Sequence, residues 1–404
     1  MAELQPVAPS ERVAILDVLR GGALFGVLAA NVYGLFSTRW LGGLMGADAS
    51  TLDTIAERFI ELVIAGKAMT LLTFLFGLGF AMQLVRAEER GEDARPLFAR
   101  RLGALFLIGA CHVTFVWWGD VTWTYAVAGL ALLAFRRAGP RALLVGSFAL
   151  LLLPHFLLAI PGIGQALREV TPHPDDPGAF RAEVLAAVHG TDYGMLVWAH
   201  VRQAVYHVSM IAVWYFPWLI GRFLLGYYAG KRRLFDGDGA AHLPLFRRLL
   251  AWGLAIGVAG VAVVHVFRES SLMADVELLV PARIALSVLS ELAMLGLTAA
   301  YASIAVLLMQ RPAWRRVLLV VAPVGRMPLT MYLGQSVAAT FVFYGWGLDH
   351  ACSLGTAGGL GVSIVIFALE IAAAHLWLRR FRFGPAEWLW RTLAYGRRLP
   401  MRAG

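Results

Sequence analysis

The chain has 404 residues, 59% of them drawn from the set AVILMFWYC and only 15% charged, against roughly 45–50% and about 25% in a soluble domain. With a mean hydropathy of +0.69, this composition excludes a soluble enzyme, a disordered chain and a disulfide scaffold. The net charge is +9, and in a polytopic membrane protein such an excess orients loops towards the cytoplasm rather than marking a nucleic-acid binder. Cys111 and Cys352 form no CxxC pair, so zinc, haem and disulfide frameworks get no support.

A membrane span needs about 20 apolar residues. Hydropathy predicts ten spans, at 13–36, 59–85, 102–118, 121–135, 142–161, 205–229, 249–267, 284–309, 324–347 and 357–378. The first is too long for a signal h-region and carries Asp17 and Arg20, so it reads as a retained span. The third and fourth are separated by Trp117, Trp118, Gly119 and Asp120, a tight turn at an aromatic interface. An outer connection at 162–204, with Pro172, Pro174 and Pro177, reads as an irregular loop carrying a short helix at 179–189. With both termini inside, 24 Lys and Arg residues fall on the cytoplasmic side and seven outside, which fixes the orientation. The fold class is therefore an all-α polytopic bundle of about ten transmembrane helices with cytoplasmic termini. It divides into a front half at 1–229, a cytoplasmic hinge at 230–247 and a rear half at 248–404, whose basic tail at 379–404 lies on the anionic inner leaflet.

Four cations remain inside spans: Arg20, Lys67, Arg222 and Arg326. Each costs at least ~2.5–3.5 kcal/mol at mid-bilayer, so such residues face the bundle interior or a water-filled cavity. Arg20, Arg222 and Arg326 fall in the cytoplasmic halves of their spans and are expected to converge on one anion-binding cavity, with Asp17 and Glu291 offsetting part of the charge. Asp17 and Arg20 are three apart and can pair on one helix face. Asn31 lies eleven residues beyond Arg20 on the same stripe, roughly 16 Å further across the membrane. On the ninth span Tyr332, Gln335 and Ser336 share a face and should line the same cavity. His112, with Asp120 near it, is the candidate general base, since imidazole titrates near neutral pH. His200 and His207 are seven apart, too far along one helix to share a metal, and no metal site is expected.

These motifs together resemble the YeiB-like family, whose C-terminal half is known as domain of unknown function 418. The matching stretches are RVAILDVLRGGALFGVLAAN, GKAMTLLTFLFGLGF, RRLGALFLIGACH with GDVTWTYAVAG, GRFLLGYYAG, GRMPLTMYLGQS with FYGWGL, and GPAEWLWRTLAYG. The N-terminal pattern also looks like that of a broader group of transmembrane acyltransferases, which includes the acyltransferase-3 proteins and the lysosomal heparan glucosaminide acetyltransferase. The resemblance implies a bacterial inner-membrane, multi-pass protein that moves an acyl group from cytoplasmic acyl-CoA to an acceptor in or across the membrane. One departure matters: acyltransferase-3 proteins carry Arg, ten residues, then His, whereas Arg20 is followed by Asn31. An amide cannot act as a general base, so the chemistry passes to His112, with Asp120 orienting it and Asn31 or Lys67 stabilising the oxyanion. Asp17, Arg20, Arg222, Arg326, Tyr332, Gln335 and Ser336 would bind acyl-CoA or acceptor. Expected partners are membrane lipids and a small-molecule or glycan acceptor, with a homodimer as a further candidate and no nucleic acid. The alternative is a transporter or lipid-handling protein without catalysis, which intramembrane charges fit equally well.

Overall fold

The fold was analysed in a computed structural model. It describes residues 13–37, 50–157 and 176–402, apart from positions 92, 94, 270–279 and 352, with isolated positions between 158 and 175. The only extended pairing among the described residues is an isolated bridge between Phe381 and Arg402. Everything else regular is helix, as composition requires of backbone that must satisfy its own polar groups in lipid.

The helices are α1 Ala14–Asn31, which widens into a π turn at Val32–Phe36, α2 Thr51–Phe59, α3 Lys67–Glu89, α4 Arg95–Phe115, α5 Thr122–Ala134 and α6 Pro140–Leu157. Next come α7 Pro177–His189, the 39-residue α8 Tyr193–Lys231, α9 Leu243–Glu269, α10 Val280–Met309 and α11 Pro312–Leu318. The last are α12 Ala322–Arg326, α13 Pro328–Phe343, α14 Thr356–Leu378 and α15 Pro385–Tyr395. Each predicted span overlaps helix among the described residues, the second interrupted at Ala65–Gly66 and the ninth at Met327. Among the described residues, seven helices are long and apolar enough to cross a membrane, or eight if the pair Pro312–Arg326 and Pro328–Phe343, bent by 82°, counts as one span. The chain is thus a multi-pass helical membrane protein. The predicted short helix at 179–189 is α7; Pro172 and Pro174 lie outside the described residues.

Close approach of backbones holds the bundle together, as expected where lipid supplies no hydrophobic drive between helices. A Cβ on Gly226 of α8 would fall 1.9 Å from the Phe74 carbonyl oxygen of α3, and one on Gly77 would fall 2.0 Å from that of Phe223. The same device seats α12 on α1, where a Cβ on Gly325 would lie 1.8 Å from the Asp17 oxygen. At one end of the bundle the 3₁₀ turn Asp236–His242 offers Asp238, whose Oδ1 accepts from the Ile15 N–H at 2.9 Å and caps α1. The other end is an aromatic cluster in which Phe36 stacks on Trp117 with centroids 4.2 Å apart, close to Phe343 and Tyr344.

Gly226→Ala should therefore overpack the α3–α8 contact and lower stability by about 1–3 kcal/mol. Gly22→Ala, where an added Cβ meets nothing within 4 Å, should stay within about 0.5 kcal/mol of the parent. Thermal unfolding in detergent measures both; equal melting temperatures would remove the argument for glycine-mediated packing.

Candidate functional site

The break in the ninth span makes the site. Met327 sits between α12 and α13 with φ −125° and ψ 49°, which ends one helix and starts another with Pro328 in the first turn, where the missing N–H costs little. The N-terminus of α13 is capped from outside the span. Glu387 of α15 accepts from the Leu329 N–H at 2.6 Å and the Thr330 N–H at 3.1 Å through Oε1, and from the Thr330 hydroxyl through Oε2. Burial pushes the Glu387 carboxyl up from its ordinary value, against these hydrogen bonds.

Around this break lies a cavity of about 340 Å³, at the lower end of the ~300–1,000 Å³ typical of small-molecule sites. Its polar lining is Asp17 and Arg20 of α1, Gln83 and Arg86 of α3, Arg101 of α4, Thr122 and Tyr125 of α5, Arg326, Tyr332, and Glu387 and Arg391 of α15. Apolar side chains such as Leu24, Leu72, Phe76, Leu105 and Leu329 line the remainder. Arg20 Nη1 lies 2.9 Å from Asp17 Oδ1, the pairing that their spacing predicts. A Cβ on Gly79 of α3 would meet only Arg20 Nη2, at 4.0 Å, so the guanidinium lies against this face of α3 without crowding it.

Behind one wall of the cavity sits a buried dyad. His112 Nδ1 is 2.8 Å from Asp120 Oδ2. Asp120 is held in turn by the Thr122 N–H at 2.8 Å, the Thr122 hydroxyl at 2.9 Å and the Trp123 N–H at 3.3 Å. The carboxylate therefore caps α5 and orients the imidazole at once. Because a carboxylate only accepts, Nδ1 is the nitrogen that donates within the pair. Nε2 is buried and has no hydrogen-bond partner among the described residues. The α4–α5 contact fixes this geometry: a Cβ on Gly109, nearly one turn before His112, would lie 2.4 Å from the Trp123 nitrogen. Thr122 links dyad and cavity directly. Tyr332 does so by proximity, its ring 5.9 Å from that of His112 and its hydroxyl accepting from the Val121 N–H at 3.3 Å.

Of the residues expected to share one cavity, Asp17, Arg20, Arg326 and Tyr332 do so; Asn31, Lys67, Arg222, Gln335 and Ser336 do not line it. Arg222 is a correction to the three-arginine cluster. Its Nη2 lies 2.7 Å from Glu291 Oε1, its Nε donates to Thr70 Oγ1 at 3.0 Å, and its guanidinium stacks 3.4 Å from the Trp218 centroid, with no exposure at all. Helical phase turns it towards α3 and α10 rather than α1. Lys67 does not reach the cavity: its Nζ donates to the Glu61 carbonyl at 2.7 Å, satisfying a helix end across the Gly66 break. Asn31 stands at the far end of α1, where the π turn begins. Gln335 donates to Glu370 Oε2 at 2.7 Å, and Ser336 to the Tyr332 carbonyl. Sequence reasoning missed Arg101, Glu387, Trp390 and Arg391, because they lie in stretches assigned to loop and leaflet. For Glu387, Trp390 and Arg391 the signal was the acid and aromatics inside GPAEWLWRTLAYG. Among the described residues no group of three His, Cys, Asp or Glu side chains is placed to hold a metal ion.

If Arg222 and Glu291 form a structural pair, Arg222→Met and Glu291→Met should each cost about 3–5 kcal/mol, and the double variant clearly less than their sum. Chemical or thermal unfolding in detergent reads the cycle; strict additivity would show that the pair carries no coupling.

Residues 229–397 match the family described as protein of unknown function (DUF418). The chain is 32% identical to the uncharacterized protein YxaH of Bacillus subtilis (strain 168), over 98% of this chain and 97% of that one. It is 29% identical to the uncharacterized protein YeiB of Escherichia coli (strain K12), over 95% and 96% of the two chains. It is 26% identical to an uncharacterized 39.9 kDa protein of Bacillus acidopullulyticus, over 98% of each chain. With such coverage at this identity, the chain belongs to the YeiB-like family that carries the DUF418 region.

Proposed function

We propose that this protein is an acyltransferase of the bacterial inner membrane, taking an acyl group from cytoplasmic acyl-CoA and passing it to an acceptor hydroxyl or amine. In this reading the bundle has ten spans. The short α5, the long α8 and the bent pair supply the three beyond the seven long apolar helices, and the excess of basic residues in alternate connections puts both termini inside. The cavity then opens towards the cytoplasm, where acyl-CoA is found.

The observation that carries the proposal is the His112–Asp120 dyad with a bare, buried Nε2 behind an arginine-lined cavity. Arg20 and Arg326 attract the donor's phosphates. Nε2 takes the proton of the acceptor as its oxygen or nitrogen attacks the thioester carbonyl. The new C–O or C–N bond forms, the C–S bond breaks, and the imidazolium returns the proton to the departing thiolate. Tyr332, whose hydroxyl already accepts from Val121, has its own proton left to donate to the oxyanion. Because Tyr332 and Thr122 form the wall in front of the dyad, Tyr332 has to turn aside for the thioester to reach Nε2.

One observation favours the second reading, a transporter: the ninth span is discontinuous, and broken helices form the substrate sites of many transporters. Purified protein with labelled acyl-CoA of several chain lengths separates the two. The acyltransferase reading expects thioester turnover that falls about 10²–10⁴-fold in His112→Ala and donor binding lost in Arg326→Ala at an unchanged melting temperature. No binding and no turnover of any acyl-CoA, with substrate accumulating unmodified in proteoliposomes, would sink it in favour of transport.

A further inference from the structure

The longest wall of the cavity is one face of α3. It runs through Leu72, Phe76, Gly79, Gln83 and Arg86, the three-and-four spacing of a single helical stripe. Its ends are fourteen residues apart, about 21 Å along the helix axis. A volume of about 340 Å³ drawn out over that length is narrow, with room for one extended chain. Polarity is sorted along it. From Gln83 back to Leu72 on α3, from Arg20 on to Leu24 on α1 and from Arg101 on to Leu105 on α4, every further lining residue is apolar. Gly79 stands inside the stripe, one turn from Phe76 and one from Gln83. Packing does not account for it. Cβ atoms on Gly77 and Gly226 would strike the neighbouring helix, whereas one on Gly79 would meet only Arg20 Nη2, at 4.0 Å. A glycine inside a helix weakens it, and without a packing gain its use is to keep space open beside the backbone. The apolar end of the stripe is held rigidly. Phe76 stacks on Phe223 with centroids 4.6 Å apart and meets Tyr125 edge-on at 5.4 Å. The Tyr125 hydroxyl is tied to Thr73 Oγ1 at 2.7 Å. Neither His112 nor Asp120 lines the cavity, so these rings and Tyr332 end it in front of the dyad.

We propose that the α3 stripe is the channel for the extended arm of the donor, that Gly79 is the passage through which the arm reaches the dyad, and that Phe76 and Tyr125 form a floor restricting the acyl group to a short chain. The proposal deepens the acyltransferase reading and rests on it. The arm of acyl-CoA is chain-like and uncharged, so it suits a narrow space whose charged groups lie at one end. Its thioester carbonyl arrives last, and whatever follows the carbonyl has to fit against the two rings and Tyr332. An acetyl group needs little room there. A chain several carbons longer would have to push Phe76 out of its stack on Phe223.

The test uses the full-length protein in nanodiscs, with acetyl-CoA and octanoyl-CoA as probes and thermal unfolding as the readout. Acetyl-CoA should stabilise the parent with a half-saturation concentration about tenfold or more below that of octanoyl-CoA. Gly79→Leu should raise the acetyl-CoA value about tenfold or more without lowering the unliganded melting temperature. Gly22→Leu, the same change on the exposed face of α1 outside the cavity, should leave it unmoved. If Gly79→Leu does lower the unliganded melting temperature, Gly79→Ala replaces it and should give a smaller loss of affinity on a helix no less stable. Phe76→Leu, which shortens the floor, should improve octanoyl-CoA relative to acetyl-CoA. Equal binding of the two probes by the parent overturns the floor, and unchanged acetyl-CoA binding in both Gly79 variants overturns the passage. Either result leaves the donor reading standing, because acyl-CoA still binds. Absence of any stabilisation by either probe removes the donor reading, and the channel with it.

Discussion

A guanidinium withdrawn from water costs several kcal/mol unless charge and hydrogen bonds meet it in place, and the arginines inside this bundle are arranged around that cost. Arg222 meets it with a carboxylate, a threonine hydroxyl and an indole face, and its burial is complete. Arg20 meets it with Asp17 one turn away and with its place on the cavity wall. These are two different solutions. The first closes a site to everything else, whereas the second leaves a charged group beside a cavity. The division between structure and candidate chemistry in this protein follows that distinction more closely than it follows depth in the membrane.

The same economy builds the dyad. Asp120 ends the turn after α4, where the N-terminus of α5 offers two backbone N–H groups and a threonine hydroxyl. Those groups would hold a carboxylate there with no histidine present. The close approach of α4 and α5 at Gly109 then delivers His112 to the remaining side of Asp120. The imidazole is thus set by helix packing and by a cap, both local to a short stretch of chain. Of its surroundings, the Tyr332 ring comes from elsewhere in the sequence.

Local features were legible in the sequence for a physical reason. Hydropathy over about 20 residues reports a helix's environment directly, so every predicted span lands on helix, and a separation of three residues predicts the Asp17–Arg20 pair because both ends share one helix. His112 and Asp120 are also near in sequence, and their partnership could be read. Convergence of different helices could not. Whether Arg222 faces α1 or α10 depends on the rotation of α8 about its axis, which the close contacts at Gly77 and Gly226 set and no periodicity reveals. Gln335 and Ser336 share a face with Tyr332, yet a turn of rise carries them past the cavity to Glu370 and to the helix's own backbone. The tail was read as lipid-bound because its charge is basic. What charge alone does not reveal is that its one acid, Glu387, docks α15 on α13.

The cap that Glu387 provides has a bearing on the order of assembly. The residue that closes the N-terminus of α13 is made 57 residues after the Thr330 it binds. Until it arrives, the second limb of the broken span carries open N–H groups at its start, and the cavity lacks the wall that α15 supplies. A chain truncated before this helix would insert its spans yet leave that limb unsupported. The finished cavity is therefore a product of late synthesis, closed only once α15 has been made and docked.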